Sequence, residues 1–481
     1  MKAYHSQIGP FQRSKNKTSS MMFHVVLALL PIIIFSFYKN GIVPYIHHNV
    51  GIFGMFYPLL FIAIPPVITF TTEWVGAYFF LRKKSDNLKE YMKNSYAILP
   101  GLFLALILPI HTPISILILG SIIATVIGKL VYGGFGNNIF NPALVGRLFV
   151  ITAYAGVIAS HGGYLNPYEV DTISKATPLS NALSIEGIGT YEILVKPYGS
   201  LWNFFIGMIP GTVGETSALL CIVGFLYLTW KRVIKWRIPV FYIGTVFFLT
   251  TVIGLSNGLS IWYPIFQILS GGLFFGAIFM ATDPVTSPVT KNGQIIYGTG
   301  LGILTVIFRY LTSYPEGVLT SILTMNMLVF IVDRLGMQCK KRENGLITIA
   351  VILILFGIVV YTINTRYTNS GETVDPNFVL LEERQIGNQV IYTVSEKGNG
   401  GPIACEVTIR DGNIIKLQVL EHNETPNYYA LVEKEDYINI LMKEQKKLPE
   451  LDTVSGATIS SNALKKLVIN TLQEYEEHYE K

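Results

Sequence analysis

Charged residues are scarce in this sequence. Asp, Glu, Lys and Arg make up 14% of its 481 residues and hydrophobic residues make up 51%, whereas about a quarter of an average soluble domain is charged. The mean hydropathy is +0.45. This composition excludes an ordinary soluble domain as the whole chain and predicts a protein that crosses a membrane several times.

Cysteine is scarce as well. The three cysteines, Cys221, Cys339 and Cys405, lie far apart, so no two of them form a CxxC pair. Because an iron–sulfur cluster usually needs four thiolates, we expect no such cluster, and no other metal site, within this chain alone.

Three further features are missing from the sequence. No glycine-rich dinucleotide fingerprint follows a strand. The formal charge of +5 comes from basic residues between apolar runs rather than from one basic patch, so we expect no nucleic acid partner. The first apolar run, residues 21–38, lacks a small-residue cleavage site, which indicates a retained anchor rather than a signal peptide.

Apolar runs of roughly the length that spans a bilayer are abundant. They predict a polytopic α-helical membrane protein with about ten helices in two sets of five, which would give inverted repeats. The first set covers residues 21–38, 53–81, 95–110, 114–132 and 143–160, and the second covers residues 216–230, 238–255, 263–281, 295–312 and 318–334. We detect no sequence repeat between the two sets.

The C-terminal third is polar and follows one more apolar run, residues 346–362. Alternating apolar residues from Cys405 to Ile409, the turn at Asp411 and Gly412, and the run 415–420 predict a hairpin. Residues 462–476 have helical spacing. We therefore expect a membrane domain over residues 1–336, a linker and anchor helix over 337–362, and an α+β domain over 363–481.

Basic residues in short loops predict the orientation of these helices. The N-terminal tail, residues 82–93, residues 231–237 and residues 340–342 are all basic. Alternating the helices places all four on one side, which the positive-inside rule makes cytoplasmic. The N-terminus is then cytoplasmic, and the C-terminal domain and residues 164–200 lie outside.

One short motif occurs twice, as DTISKATPLSNAL at residues 171–183 and DTVSGATISSNAL at residues 452–464. The ordinary explanation is a helix start, with Ser455 or Ser460 as the capping residue. Two copies in unrelated surroundings favour a shared chemical role. A turn of small residues exposes a threonine hydroxyl, and backbone N–H groups at a helix start can hold a phosphate.

Both copies resemble the flavinylation motif Asp-x-x-Ser-x-Ala-Thr, in which a flavin transferase joins the phosphate of FMN to the threonine hydroxyl. The resemblance implies that Thr177 and Thr458 carry FMN. The first copy departs from the commoner glycine at Lys175. The other residues of the two motifs are Asp171, Ser174 and Ala176 in the first copy, and Asp452, Ser455, Gly456 and Ala457 in the second.

The resemblance extends through most of the chain. Residues 132–143, 211–219 and 282–288 are similar to signatures of the D subunit of the Rnf complex, a relative of the B subunit of the sodium-pumping NADH:quinone reductase. From about residue 346 the chain resembles the Rnf G subunit, with an anchor helix and an FMN-binding domain, although this portion is shorter than in that family. Residues 421–426 resemble the family's loop near the isoalloxazine ring, which implies flavin contacts at Glu424 and Thr425.

The glycine-rich membrane signatures also have a local interpretation. Irregular backbone at membrane depth either lines a cavity or lets helices pack closely. Glu215 and Asp283 lie near predicted helix ends, where a functional role and a role in solvation or capping are both open. Arg309 lies inside a predicted span, where it either reaches the interface or attracts a flavin phosphate.

The resemblance implies a subunit of a redox-driven translocase in the cytoplasmic membrane. Iron–sulfur partner subunits would pass electrons from ferredoxin to the FMN on Thr458, and the FMN on Thr177 would pass them toward the NADH-reacting subunit, coupled to sodium or proton export. The rivals are a subunit of the NADH:quinone reductase, a flavin conduit that does not pump, and a solute channel. The coupling ion, the direction of electron flow, the redox potentials and a third, noncovalent riboflavin or FMN stay open.

Overall fold

A computed structural model of the chain describes residues 18–82, 86–161, 177–183, 188–215, 217–312, 317–339, 341–368, 378–387, 389–398, 401–422, 430, 432–434, 436–443, 448, 451, 453–454 and 457–479. The chain divides into two compact units, residues 1–367 and 368–481. The first unit is helical, and the second contains a β-sheet.

Eight helices among the described residues are long and apolar enough to cross a membrane, and each matches one of the predicted runs. They are Thr18–Ile46, Ile52–Phe79, Ile114–Tyr132, Pro142–Ser160, Arg237–Ser256, Lys291–Leu311, Gly317–Gln338 and Glu343–Arg366. The first consists of Thr18–Phe37, a π-helical turn Tyr38–Ile42 and Val43–Ile46. These helices confirm the polytopic fold class.

Three of the predicted spans differ from continuous membrane helices. Ile98–Ile107 has 10 residues, and it ends where Leu108 turns extended ahead of a proline, which disfavours helix at the residue before it. Ala218–Trp230 has 13 residues. The third is divided into Trp262–Leu269 and Leu273–Met280, which meet at an angle of 61°. Hydropathy overlooks this break because the glycines that make it are not polar.

Shorter helices connect the spans. They are Asp86–Ser95, Pro178–Leu183, Tyr191–Leu194, Lys196–Tyr198 and Leu201–Ile206. Leu130–Tyr132 is a 3₁₀ turn at the end of the span Ile114–Tyr132, and the anchor helix runs over Arg342–Thr368. Within the broken span, Leu273–Phe275 is α-helical and Gly276–Met280 is π-helical.

Small residues allow the membrane helices to approach closely. A Cβ atom on Gly146 would lie 2.7 Å from the carbonyl oxygen of Gly120, between Ile114–Val126 and Pro142–Ser160. A Cβ atom on Gly298 would lie 2.8 Å from the carbonyl oxygen of Ile238. Because helix association in lipid depends on packing, such contacts hold the bundle together and fix where its irregular segments meet.

The second unit contains a four-stranded antiparallel sheet in the order β1-β2-β3-β4. The strands are Val379–Ile386, Gln389–Lys397, Pro402–Arg410 and Asn413–His422. Asp411 and Gly412, both with positive φ, join β3 to β4, as expected for a two-residue hairpin. The helix Thr458–Tyr479 packs against β2 and β3, and the short helix Tyr437–Lys443 packs against β4.

The alternation of buried and less buried side chains along β3 explains the core of this unit. Ile403, Cys405, Val407 and Ile409 are fully buried on one face of β3, and Leu464, Leu467 and Val468 are fully buried on the helix. The predicted hairpin and helix are therefore confirmed.

Candidate functional site

Thr177 lies at the start of the short helix Pro178–Leu183. Its Oγ1 accepts a hydrogen bond from the backbone N–H of Ser180 at 3.2 Å, and the two hydroxyls share a hydrogen bond of 2.8 Å. Thr177 is only 5% exposed. The hydroxyl singled out by the sequence is thus the N-cap oxygen of a helix. Asp171, Ser174 and Ala176 lie outside the described residues.

The helix that carries Thr177 contacts the broken span. A Cβ atom on Gly271, within the break, would lie 2.9 Å from Cδ2 of Leu179 and 3.1 Å from Nη2 of Arg309. Arg309 is 4% exposed, and it donates to the carbonyl oxygens of Gln267 at 2.6 Å and Ser270 at 3.0 Å. Its buried guanidinium therefore binds carbonyls at the C-terminal end of Trp262–Leu269.

The second copy of the motif also begins a helix. Thr458 is the first residue of Thr458–Tyr479, and Ala457 before it is buried. Ser461 Oγ accepts from the backbone N–H of Val454 at 3.0 Å and donates to the carbonyl oxygen of Ala457 at 2.9 Å. Five predicted site residues of this unit lie outside the described residues: Asp452, Ser455, Gly456, Glu424 and Thr425.

Two of the membrane signatures, residues 132–143 and 282–288, meet at one cavity of about 80 Å³ in the first unit. Its polar lining comes from both signatures and from Lys129, which lies just before the first of them: Lys129, Asn138, Asn141, Thr282 and Asp283. Helix Ile98–Ile107 and the π-helical segment Gly276–Met280 supply apolar lining. The space is large enough for several water molecules, so the cavity explanation applies to these two signatures.

A buried ion pair lies beside this cavity. Lys129 Nζ donates to Oε2 of Glu73 at 2.7 Å and to the carbonyl oxygen of Ser95 at 2.6 Å. The Tyr91 hydroxyl donates to Oε1 of Glu73 at 3.0 Å. The side chains of Lys129 and Glu73 are 2% and 0% exposed. Sequence reasoning missed this pair, although a charged residue within an apolar run is itself a signal.

Asp283 and Asn141 occupy defined positions at the cavity. Thr286 Oγ1 donates to Oδ2 of Asp283 at 3.0 Å. Asn141 caps the helix Pro142–Ser160, because its Oδ1 accepts from the backbone N–H of Ala143 at 3.1 Å. Asn141 therefore has a structural role beside any role in the cavity.

Glu215, from the third signature, belongs to a second buried ion pair. Arg147 Nη1 lies 2.7 Å from Oε1 of Glu215, and Thr212 Oγ1 donates to Oε2 at 2.9 Å. A Cβ atom on Gly272 would lie 2.8 Å from Cδ of Glu215. Glu215 is thus paired and packed against the broken span, where neither simple solvation nor a cap accounts for it.

Comparison with known proteins decides the family of this chain. Residues 5–341 match the model of the NQR2, RnfD, RnfE family. The chain belongs to this family. Residues 398–473 match the FMN-binding domain, so a family membrane domain and an FMN-binding domain occur in one chain, which confirms the resemblance to a fusion of D-type and G-type subunits.

Curated relatives of the NQR2, RnfD, RnfE family match the chain at length. The D subunit of a proton-translocating ferredoxin:NAD(+) oxidoreductase complex from Clostridium ljungdahlii is 36% identical over 69% of this chain and 94% of its own length. The D subunit of the Na(+)-translocating complex from Acetobacterium woodii is 36% identical over 70% and 93%. The B subunit of the Na(+)-translocating NADH-quinone reductase from Chromohalobacter salexigens is 34% identical over 53% and 62%.

Proposed function

We propose that this chain is a membrane electron-transfer subunit of an ion-translocating ferredoxin:NAD oxidoreductase, with FMN attached through phosphate to Thr177 and to Thr458. The observation that carries the proposal is the duplicated motif. One copy lies in the family's membrane domain and the other within the matched FMN-binding segment. The chain thereby acts as part of a redox enzyme complex.

The surroundings of Thr177 suit a flavin phosphate. The phosphodiester would add a negative charge at the hydroxyl oxygen. Leu179, two residues after Thr177, and the guanidinium of Arg309 both approach the same point at Gly271, at 2.9 Å and 3.1 Å from its Cβ position. Charge-assisted hydrogen bonds to guanidinium are among the stronger contacts a phosphate makes. The flavin supplies the redox chemistry, and the protein supplies position and electrostatics.

The cavity suits the ion pathway of such a complex. Short or broken apolar helices in corresponding positions of two repeats are typical of transporter binding sites. Ile98–Ile107 and the broken span are the third elements of their respective sets, and both line the cavity. We propose that sodium or a proton passes this cavity, with Asp283 among the groups that face it.

The partners follow from this role. We infer iron–sulfur subunits that receive electrons from ferredoxin, an NADH-reacting subunit, a flavin transferase for maturation and the lipid of the cytoplasmic membrane. The N-terminus is proposed to be cytoplasmic and the FMN-binding domain to lie outside.

Purification of the intact complex, mass spectrometry of its subunits and an assay of ferredoxin-dependent NAD reduction test this assignment. A complex that reduces quinone instead would support the NADH-quinone reductase alternative, and electron transfer insensitive to ionophores would support a conduit that does not pump.

Flavin attachment has its own test. The chain, expressed with a flavin transferase and denatured on a gel, is expected to carry about two flavins, and Thr177→Ala and Thr458→Ala about one each, because alanine offers no oxygen to bridge to phosphate. The double variant should show no fluorescence. If the double variant, purified in its native state, releases riboflavin or FMN on denaturation, the chain also binds a noncovalent flavin. Full ferredoxin-dependent activity in either single variant would refute two flavins acting in series.

A further inference from the structure

Both acceptor threonines are followed, three residues later, by a serine that is hydrogen-bonded back onto the motif. Ser180 bonds to Thr177, and Ser461 bonds to Val454 and Ala457. The flavinylation motif, as the sequence resemblance defines it, ends at the threonine, so it does not include these serines. Resting on the proposed function, we propose that Ser180 and Ser461 are positioning residues for flavin attachment.

The first copy gives the more direct geometry. The 2.8 Å hydrogen bond between the hydroxyls joins Ser180 to the reacting oxygen itself. When Thr177 donates its proton to Ser180 Oγ, the hydrogen bond holds the Thr177 hydroxyl in one orientation. The direction of the free lone pair on Thr177 Oγ1 is then fixed as well. Holding a reactant in the productive orientation lowers the entropic part of a barrier.

The bonds and protons of the attachment step can be written in full. Thr177 Oγ1 bonds to the flavin-side phosphorus of flavin adenine dinucleotide, the phosphoanhydride bond breaks, and AMP leaves. The threonine proton passes through the Ser180 hydroxyl, which accepts one proton and releases one, to a base of the transferase. Nothing is oxidised or reduced.

The hydrogen bond between Ser180 and Thr177 is local in sequence. This matters because Thr177 is only 5% exposed. A transferase reaches this oxygen only when the segment opens away from its neighbours. Ser180 and Thr177 lie within four consecutive residues, so their hydrogen bond persists in an opened segment, whereas the contact of Leu179 with Gly271 does not.

The second copy uses its serine to hold the turn. Ser461 is fully buried, and its oxygen joins Val454 and Ala457 across the residues that immediately precede Thr458. These two hydrogen bonds hold Val454 and Ala457 to the first turn of Thr458–Tyr479, the helix that begins at the acceptor residue.

Alanine substitution separates positioning from capping. Ser180→Ala keeps the backbone N–H that caps the helix through Thr177 and removes only the hydroxyl. Full-length chain made without transferase is mixed with the transferase and flavin adenine dinucleotide, and covalent flavin is followed over time. The Thr458→Ala background reports on Thr177. Ser180→Ala should slow attachment about fivefold, the factor that a hydrogen bond of ordinary net strength supplies.

Four further variants make the test specific. Ser180→Thr keeps a hydroxyl and should restore most of the rate. Thr190→Ala removes an exposed helix-cap hydroxyl that makes no cap hydrogen bond, and it should have no effect. In the Thr177→Ala background, Ser461→Ala should slow loading of Thr458, whereas Thr453→Ala, in the same turn, should not.

The outcomes are distinguishable. Wild-type rates in Ser180→Ala and Ser461→Ala would overturn the inference, as would Ser180→Thr as slow as Ser180→Ala. A chain with both threonines intact that never acquires covalent flavin would refute the attachment itself, and with it this inference.

Discussion

The buried pair of Lys129 and Glu73 offers a quantitative test of how the membrane unit tolerates charge. Lys129→Met keeps the length of the side chain and removes its charge, which leaves Glu73 with the Tyr91 hydroxyl as its remaining described hydrogen-bond donor. Removing one partner of a buried ion pair costs about 3–5 kcal/mol. Glu73→Gln leaves the Lys129 ammonium uncompensated and should also destabilise, by less, because the amide oxygen still accepts.

The double variant should recover much of this loss. Lys129→Met with Glu73→Gln removes both charges, and replacing a whole buried pair is often close to neutral. The expected coupling energy is therefore about 2 kcal/mol or more, within the range for residues in contact. Reversible unfolding of the chain in mixed micelles, followed by tryptophan fluorescence, gives the free energies of unfolding.

An exposed pair provides the control. Lys196 and Glu192 form an ion pair with side chains 68% and 64% exposed, so Lys196→Met should change the free energy of unfolding by no more than about 0.5 kcal/mol. The reasoning is refuted if Lys129→Met is as harmless as Lys196→Met, or if the two buried substitutions add without coupling.

Three other predictions concern coupling, topology and the thiol of the second unit. Asp283→Asn keeps an oxygen for Thr286 to donate to and removes the charge, so ion transport should weaken while bound flavin stays near normal; unchanged coupling would favour a purely packing role for this segment. In a Cys339→Ser background, cysteines at Ser85 and Thr373 should label from opposite sides of intact cells, with Thr373 outward, and labelling from one side would contradict the orientation. Burial raises the pKa of the Cys405 thiol to about 12, so the thiolate is disfavoured in the folded unit: stability should fall as the pH rises above about 9, and alkylation at pH 8 should require unfolding, which immediate labelling of native protein would disprove.

Much of the fold follows from local patterns in the sequence. The long spans are fixed by apolar length, and the hairpin by alternation from Cys405 to Ile409 with Asp411 and Gly412 at the turn. The broken span does not follow, because only the backbone angles of Gly271 and Gly272 reveal the bend. Hydropathy therefore predicts a continuous helix over residues 263–281.

The candidate site could be predicted only in part. Thr177 and Thr458, the proposed acceptors, stand out because their motif is repeated. The Lys129–Glu73 and Arg147–Glu215 pairs do not, because each joins residues that are more than 50 positions apart. Each of these charged residues is conspicuous within its apolar surroundings. Neither a repeat nor a fixed spacing relates the two members of a pair, so the sequence alone does not show which residues pair.

The break at Gly271 and Gly272 also has an electrical consequence. A continuous helix would carry its partial charges to the two membrane surfaces, whereas two half-helices place a negative carboxyl end and a positive amino end inside the unit. Arg309 lies at the carbonyl end of Trp262–Leu269, and Glu215 lies against Gly272, just before Leu273–Met280. Each charge thus complements the macrodipole that faces it, so the electric field near the break is set by the backbone as well as by side chains.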